Sequence, residues 1–302
     1  VTSTHGPELL DLLIPYWGDP ELMKETIASV LAQDDPRWRL TVVDDAYPGT
    51  EIRDHIASIG DDRIRFVRKD RNEGIIENFR SCVAAAEAPL MAMPGCDDRL
   101  LPGYVGEILA TAARFPAATI IQPGVRIIDE TGAAARTVPD LVKDSVVRPR
   151  GRGYQVLAGE PLAVSLLHGD WLYWPSLAFR TSRIQQFPFR DEYQIILDLA
   201  LILDMVYAGH VLVTSPAEVF EYRRHARSLS SERLTDGSRF DDERDYFRGA
   251  AEQAHQLGWH RAERAAKLHL TSRAYAALTI PRALRGRNAS GLRALARHLL
   301  GT

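Results

Sequence analysis

Apolar residues fall along the chain in short runs separated by amphipathic stretches. Leu9 to Ile14 is apolar except for Asp11 and predicts a first strand, stopped by Pro15. Pro20 opens a helix with Leu22, Ile27, Val30 and Leu31 on one face. Trp38 to Val43 predicts a second strand, and Ile52, His55, Ile56 and Ile59 mark a helix after it. Ile64 to Val67 predicts a third strand. Asn72-Glu73-Gly74 then turns the chain into a helix carrying Phe79, Val83 and Ala86. Leu90 to Met93 predicts a fourth strand, which Pro94-Gly95 ends. Pro102 opens a helix through Tyr104, Ile108, Leu109 and Ala112, and Thr119 to Ile121 predicts a fifth strand.

The pattern loosens between Gly124 and Tyr154. Glu130-Thr131-Gly132 predicts a hairpin turn, and Arg148 to Gly153 a basic loop. Trp171 to Phe179 predicts a strand with a turn at Pro175, and Arg190 to Ala208 a long helix ended by Gly209. Val211 to Val213 and Val219 to Tyr222 predict two short strands. Phe240 to Leu257 and Arg261 to Leu278 predict helices, and so does the basic, alanine-rich segment from Pro281 to Leu300.

Alternation of strands and helices through roughly the first 120 residues implies an α/β fold. Its central sheet is expected to be mostly parallel, flanked by helices, with a helical C-terminal tail. The expected division is a catalytic domain over 1–231 and a helical extension over 232–302. A chain of 302 residues, 45% hydrophobic and 25% charged, is neither disordered nor membrane-spanning in composition. The net charge of −3 argues against a general nucleic-acid binder. Cys82 and Cys96 form neither a metal-ligand spacing nor a disulfide framework, and Val1 to Pro7 has no basic-then-apolar plan. The expected location is therefore cytoplasmic.

No dinucleotide fingerprint, P-loop or nucleophile elbow appears. Carboxylates at strand ends are what remain. Asp44-Asp45 closes the second strand, and Asp97-Asp98 follows the fourth. Both would face the crevice beyond the carboxyl ends of a parallel sheet, where ligands collect. A carboxylate pair there can hold a divalent cation that in turn holds a diphosphate. The alternative is that Asp97 and Asp98 cap the next helix. Later in the chain, Tyr222-Arg223-Arg224-His225 leads to Ser228 and Ser230, a cationic loop suited to phosphate.

Taken together, these pieces resemble the inverting glycosyltransferases of family 2, which use the nucleotide-diphosphosugar transferase (GT-A) fold. The resemblance covers most of residues 9–231. Pro15-Tyr16-Trp17-Gly18 is similar to the family's Pro-x-Tyr-Asn turn, with Trp17 and Gly18 in place of Tyr and Asn. Ser29-Val30-Leu31-Ala32-Gln33 matches its first helix, and Asn72-x-Gly74 with Asn78 its later turn and helix. Cys96-Asp97-Asp98 with Leu101-Pro102-Gly103-Tyr104 matches its metal segment, although Gly95 stands where many members have Asp.

The resemblance implies roles. Pro15, Trp17, Asp44, Asp45, Asn72, Gly74, Asn78, Asp97 and Arg224 would bind the nucleotide-sugar, with Asp45 accepting a hydrogen bond from the base. Asp98 and His225 would hold Mg²⁺ or Mn²⁺. Asp198 would be the catalytic base. It lies on an apolar stretch where an acid is costly unless paired or functional, and apolar neighbours would raise its pKa. Asp191 and Glu192 sit too early for that role, and Asp204 on another part of the helix. Trp171, Tyr173 and Trp174 either fill a core or stack on an acceptor sugar.

The expected reaction moves a sugar from a nucleotide-diphosphosugar, UDP-linked by family precedent, to an acceptor hydroxyl with inversion. The acceptor would be a glycan, a lipid-linked sugar or a small molecule. Two other readings stand beside it: a nucleotidyltransferase, and a family member that binds nucleotide-sugar or glycan without turnover. From Gly258 onward nine Lys/Arg face the single acid Glu263. That tail either packs on the catalytic domain or makes peripheral contact with an anionic membrane surface.

Overall fold

β1 runs from Leu10 to Tyr16, so Pro15 lies inside the first strand and does not stop it. The neighbouring strand β4 (Leu90–Ala92) pairs with β1 only as far as Leu12. Beyond that point β1 has one neighbour and tolerates a residue without an N–H. The computed structural model describes residues 9–135, 149, 151, 153–193, 196–225, 238–273, 276, 277, 280 and 295. Arg148, Arg150, Arg152, Ser228, Ser230 and most of the Pro281 to Leu300 segment lie outside them.

Helix α1 (Pro20–Leu31) starts where Asp19 accepts a hydrogen bond from the Glu21 amide at 2.8 Å, with Pro20 at the first helical position. β2 (Trp38–Asp44), α2 (Glu51–Ile59), β3 (Ile64–Arg68) and α3 (Ile75–Ala85) follow. β2 lies parallel to both β1 and β3, and β4 lies parallel to β1 on its other side. The chain therefore reverses its direction of travel across the sheet at β1, which opens a crevice beyond the strand ends.

β5 (Arg99–Leu100), α4 (Tyr104–Arg114), β6 (Ala118–Ile128), β7 (Gln155–Leu157), α5 (Gly159–His168), β8 (Ala178–Arg180) and α6 (Thr181–Ile184) come next. α7 (Leu197–Tyr207), β9 (Val211–Arg223), α8 (Ser238–Gln256) and α9 (His260–Leu268) complete the order. The sheet reads β3-β2-β1-β4-β8-β6-β9-β5, with β7 on β9. Its first four strands are parallel. β8 runs antiparallel between β4 and β6, and β5 and β7 antiparallel to β9, so the second half is mixed.

Two apolar layers cover the sheet. Leu10, Leu12 and Ile14 join Met23, Ile27, Ile52, Tyr104 and Ile108 on one face. Leu13, on the opposite face by strand alternation, joins α3, α5 and α7. α8 and α9, from the expected extension, send Tyr246, Phe247, Ala250, Ala262 and Ala266 into this second layer.

Five elements differ from the sequence pattern. β6 continues through Pro123-Gly124 to Ile128, and β9 is one strand through Ser215-Pro216-Ala217. The two irregular stretches face each other, and the register slips between Gln122 and Val125 so that both strands continue past them. Residues Trp174–Ser176 form a 3₁₀ turn before β8 rather than a continuous strand. The helix expected from Arg190 begins at Leu197. Arg190 bonds both oxygens of Asp204, at 2.6 Å to Oδ1. In an unbroken helix those residues would stand about 21 Å apart, so the chain folds back before α7. The last helix breaks at His269, whose φ is 27° and whose ring stacks on Phe247 at 4.9 Å.

Candidate active site

A cleft of about 420 Å³ opens beyond the carboxyl ends of β1, β2 and β4. Pro15, Trp17, Asp45, Asn72, Gly74, Asn78 and Asp97, all singled out from sequence, line it. Ile75, Phe79, Met93, Pro94, Gly95, Cys96, Trp174 and Pro175 complete its walls. Gly95 and Cys96 belong to the acidic segment, and Trp174 is one of the aromatics weighed from sequence. Ile75 and Phe79 follow Gly74 and Asn78, and Met93 and Pro94 follow β4.

Trp17 stands half exposed at the cleft, its ring edge-on to Tyr47 at 5.7 Å. Asp45 is buried and accepts hydrogen bonds from the amides of Glu73 (3.0 Å) and Gly74 (2.8 Å). One carboxylate therefore pins the turn between β3 and α3 onto the end of β2. Gly74 takes φ +88° there, a conformation that a side chain would strain. Asp44 does not line the cleft. It caps the turn after β2 by accepting from the Tyr47 amide at 2.8 Å and pairs with Arg68 at 3.0 Å. Asn78 donates to the Val43 carbonyl at 3.0 Å, while its Oδ1 is buried without a partner among the described residues. Trp174 stacks on Phe79 at 6.0 Å, and its Nε1 is likewise unpartnered. Orphaned polar atoms are costly unless a ligand satisfies them. Trp171, by contrast, sits in the core with its Nε1 on Ser165 Oγ.

Asp97 and Asp98 face different ways. Asp98 is buried, and its two oxygens accept from the amides of Gly95 (3.1 Å) and Arg223 (2.9 Å). Burial pushes its carboxyl well above the ordinary range. The Asp97 charge adds to that rise, and the two amides oppose it. Asp98, expected to carry the cation, is thus turned into the interior and, unlike Asp45 and Asp97, does not line the cleft. Asp97 points its Oδ2 to within 2.5 Å of His225 Nε2, each side chain about 30% exposed. The hydrogen bond to Asp97 holds the His225 imidazole above its ordinary pKa, against the effect of burial.

The helix signature Ser29-Val30-Leu31-Ala32-Gln33 acquires a physical meaning here. Ser29 Oγ accepts from the Leu100 amide, and Gln33 bonds the Leu101 carbonyl and the Val105 amide. Thr26, one turn earlier, donates to the Asp98 carbonyl at 2.7 Å. Helix α1 therefore clamps the whole acidic segment. Gly95 is part of the same fit: a Cβ on it would lie 2.6 Å from Asp98 Oδ2 and 2.7 Å from Asp97 Oδ1. Gly95→Ala is expected to displace both carboxylates and to destabilise the fold by about 1–3 kcal/mol, the usual cost of overpacking. A denaturant midpoint identical to that of the unmodified protein would contradict this packing.

Asp198 occupies the first turn of α7 and accepts from the Leu199 amide at 2.8 Å. It is not part of the cleft lining, but its charge reaches Tyr222. Burial raises the Tyr222 phenol, and Asp98, Asp97 and Asp198 push the same way while Arg224 opposes them. Tyr222 thereby places Asp198 in the same electrostatic neighbourhood as the acidic pair. Arg224 lies over the Tyr222 ring at 5.9 Å.

The Asp97–His225 pair supplies one oxygen and one nitrogen. Among the described residues no cluster of three or more His, Cys, Asp or Glu forms a complete cation cage. Two protein ligands suit an ion that takes its remaining ligands from water and substrate phosphates. A mixed oxygen and nitrogen set admits Mn²⁺ as well as Mg²⁺.

Residues 11–158 match the sequence model of glycosyl transferase family 2. The chain is 26% identical over 103 residues to the putative colanic acid biosynthesis glycosyl transferase WcaA of Escherichia coli (strain K12). That match covers 34% of this chain and 37% of the relative. It is 22% identical over 145 residues to the putative glycosyltransferase EpsE of Bacillus subtilis (strain 168), covering 47% of this chain and 52% of that one. The matches thus span about a third to a half of these relatives' length. Among solved structures, S. aureus TarS residues 1–349 in complex with UDP-GlcNAc superposes with a TM-score of 0.67 at 11% identity. The superposition covers 96% of this chain and 81% of that one, a likeness of fold. Within the described residues no helix is long and apolar enough to cross a membrane.

Proposed function

We propose, from the match of residues 11–158 to glycosyl transferase family 2, that the chain transfers a sugar from a UDP-sugar to an acceptor hydroxyl with inversion. The carrying observation is the assembly of Asp45, Asn72, Gly74, Asn78 and Asp97 around one cleft, with His225 brought to Asp97 from 128 positions away. Trp17 and Asp45 flank the part of the cleft suited to a base: an exposed aromatic face beside a carboxylate. The unpartnered Asn78 Oδ1 and Trp174 Nε1 offer one acceptor and one donor to a sugar or ribose.

Asp97 and His225 are the side chains that would hold Mn²⁺ or Mg²⁺, in place of Asp98 and His225. Such an ion would supply Lewis-acid stabilisation of the departing diphosphate. Arg224 stands next to His225 and adds a cation suited to phosphate. Asp198 takes the proton of the acceptor hydroxyl as general base, on the side of the sugar opposite the leaving group.

The test is a panel of nucleotide-sugars incubated with the protein, Mn²⁺ and sugar acceptors. Release of UDP from one donor is the expected result, with the anomeric configuration of the product inverted by NMR. Pyrophosphate formation instead would make the protein a nucleotidyltransferase. Binding with no turnover on any donor and acceptor would make it a non-catalytic binder.

A further inference from the structure

Arg223 is a cation that the reaction does not use directly. It is 3% exposed, and its guanidinium cannot face a diphosphate because all three nitrogens are engaged. Nε donates to the Asp97 carbonyl at 2.7 Å, Nη1 to the Glu130 carbonyl at 3.1 Å, and Nη2 to Glu25 Oε2 at 2.6 Å. Its own amide donates to Asp98 Oδ1. One residue thus ties together α1, the acidic segment after β4, the turn after β6 and the end of β9. Two residues beyond it stands His225.

Glu25 is half exposed, and an ion pair open to water on one side adds little net stability. What a planar fork does well is fix several partners at set angles, which a lysine cannot reproduce. We infer that Arg223 is a positioning residue: its fork holds the segment bearing Asp97 against the strand end bearing His225, so that the 2.5 Å pair is assembled before any donor arrives. This rests on the cation-binding reading of Asp97 and His225. Residues that orient metal ligands typically change metal affinity by about 10–100-fold when replaced.

The experiment measures Mn²⁺ binding by EPR, with and without UDP, in the unmodified protein, Arg223→Lys and Glu25→Gln. UDP binding in EDTA and the melting temperature are recorded alongside. Arg223→Lys is expected to weaken Mn²⁺ binding at least tenfold, while UDP binding in EDTA changes less than threefold, because the base side of the cleft lies on other strands. Glu25→Gln, which keeps Arg223 but loosens its fork, is expected to weaken Mn²⁺ binding severalfold, and it decides the matter if Arg223→Lys does not fold. Folded variants with unchanged Mn²⁺ affinity would overturn the positioning role alone. An unmodified protein that binds no Mn²⁺ in either condition would overturn the cation reading and this role with it.

Discussion

Asp97→Ala is expected to remove the divalent-cation dependence of donor binding and to lower turnover by more than about 10²-fold. Lewis-acid stabilisation of a leaving group is worth several kcal/mol, and about 1.4 kcal/mol is a factor of ten in rate. The fold should survive. The Asp97 side chain pairs with His225 in a partly exposed position, where such pairs contribute about 0–1 kcal/mol. The contact that ties the segment to Arg223 uses the Asp97 carbonyl, which alanine retains. Turnover of Asp97→Ala measured against Mn²⁺ concentration is the check. A variant with an unchanged Mn²⁺ response would return the cation to some other carboxylate. Asp98→Ala, by contrast, should act through the fold, since Asp98 bonds the backbone of Gly95 and Arg223 in the interior.

Asp198→Asn should keep donor binding and lose about 10²–10⁴-fold in turnover, the usual worth of a general base. The substitution is nearly isosteric. Asn can still accept from the Leu199 amide at the start of α7, so the helix should be retained. The neighbouring acids serve as controls. Asp191 is paired with Arg80 at 2.8 Å, and Asp204 is committed to Arg190. Kinetics of Asp198→Asn, Asp191→Asn and Glu192→Gln side by side decide the assignment. Near-normal turnover in the first, with loss in either of the others, would move the base upstream of α7.

The parallel half of the sheet was legible because each strand is a short, largely apolar run, although Pro15 falls inside β1 and does not close it. The grouping of Asp45, Asn72, Gly74 and Asn78 at one cleft was legible because they lie within one strand-turn-helix unit. Which of Asp97 and Asp98 turns to the cleft was not. Two adjacent, identical residues are told apart only by which one turns inward, and Thr26, Gly95 and Arg223 decide that from elsewhere in the chain. Arg223 read as part of a cationic loop suited to phosphate, because its contact with Glu25 spans 198 positions. Ser215-Pro216-Ala217 looked like the end of a strand. Only the matching irregularity in β6 lets β9 pass through it. The start of α7 was hidden by apolar spacing that continues upstream, while the fork from Arg190 to Asp204 forbids a straight helix there.

The two sides of the cleft also differ in when they can come into being. Asp45 meets the amides of Glu73 and Gly74 across 28 and 29 positions, whereas His225 meets Asp97 across 128. Contacts of long sequence separation close late, because the loop entropy must be overcome before they return anything. A nascent chain that has only reached the end of the family match already holds Pro15, Trp17, Asp45, Asn78 and Asp97, yet neither Arg223 nor His225. During synthesis the Asp45 turn can therefore close before the Asp97–His225 pair can. The second side is complete only when β9 enters the sheet.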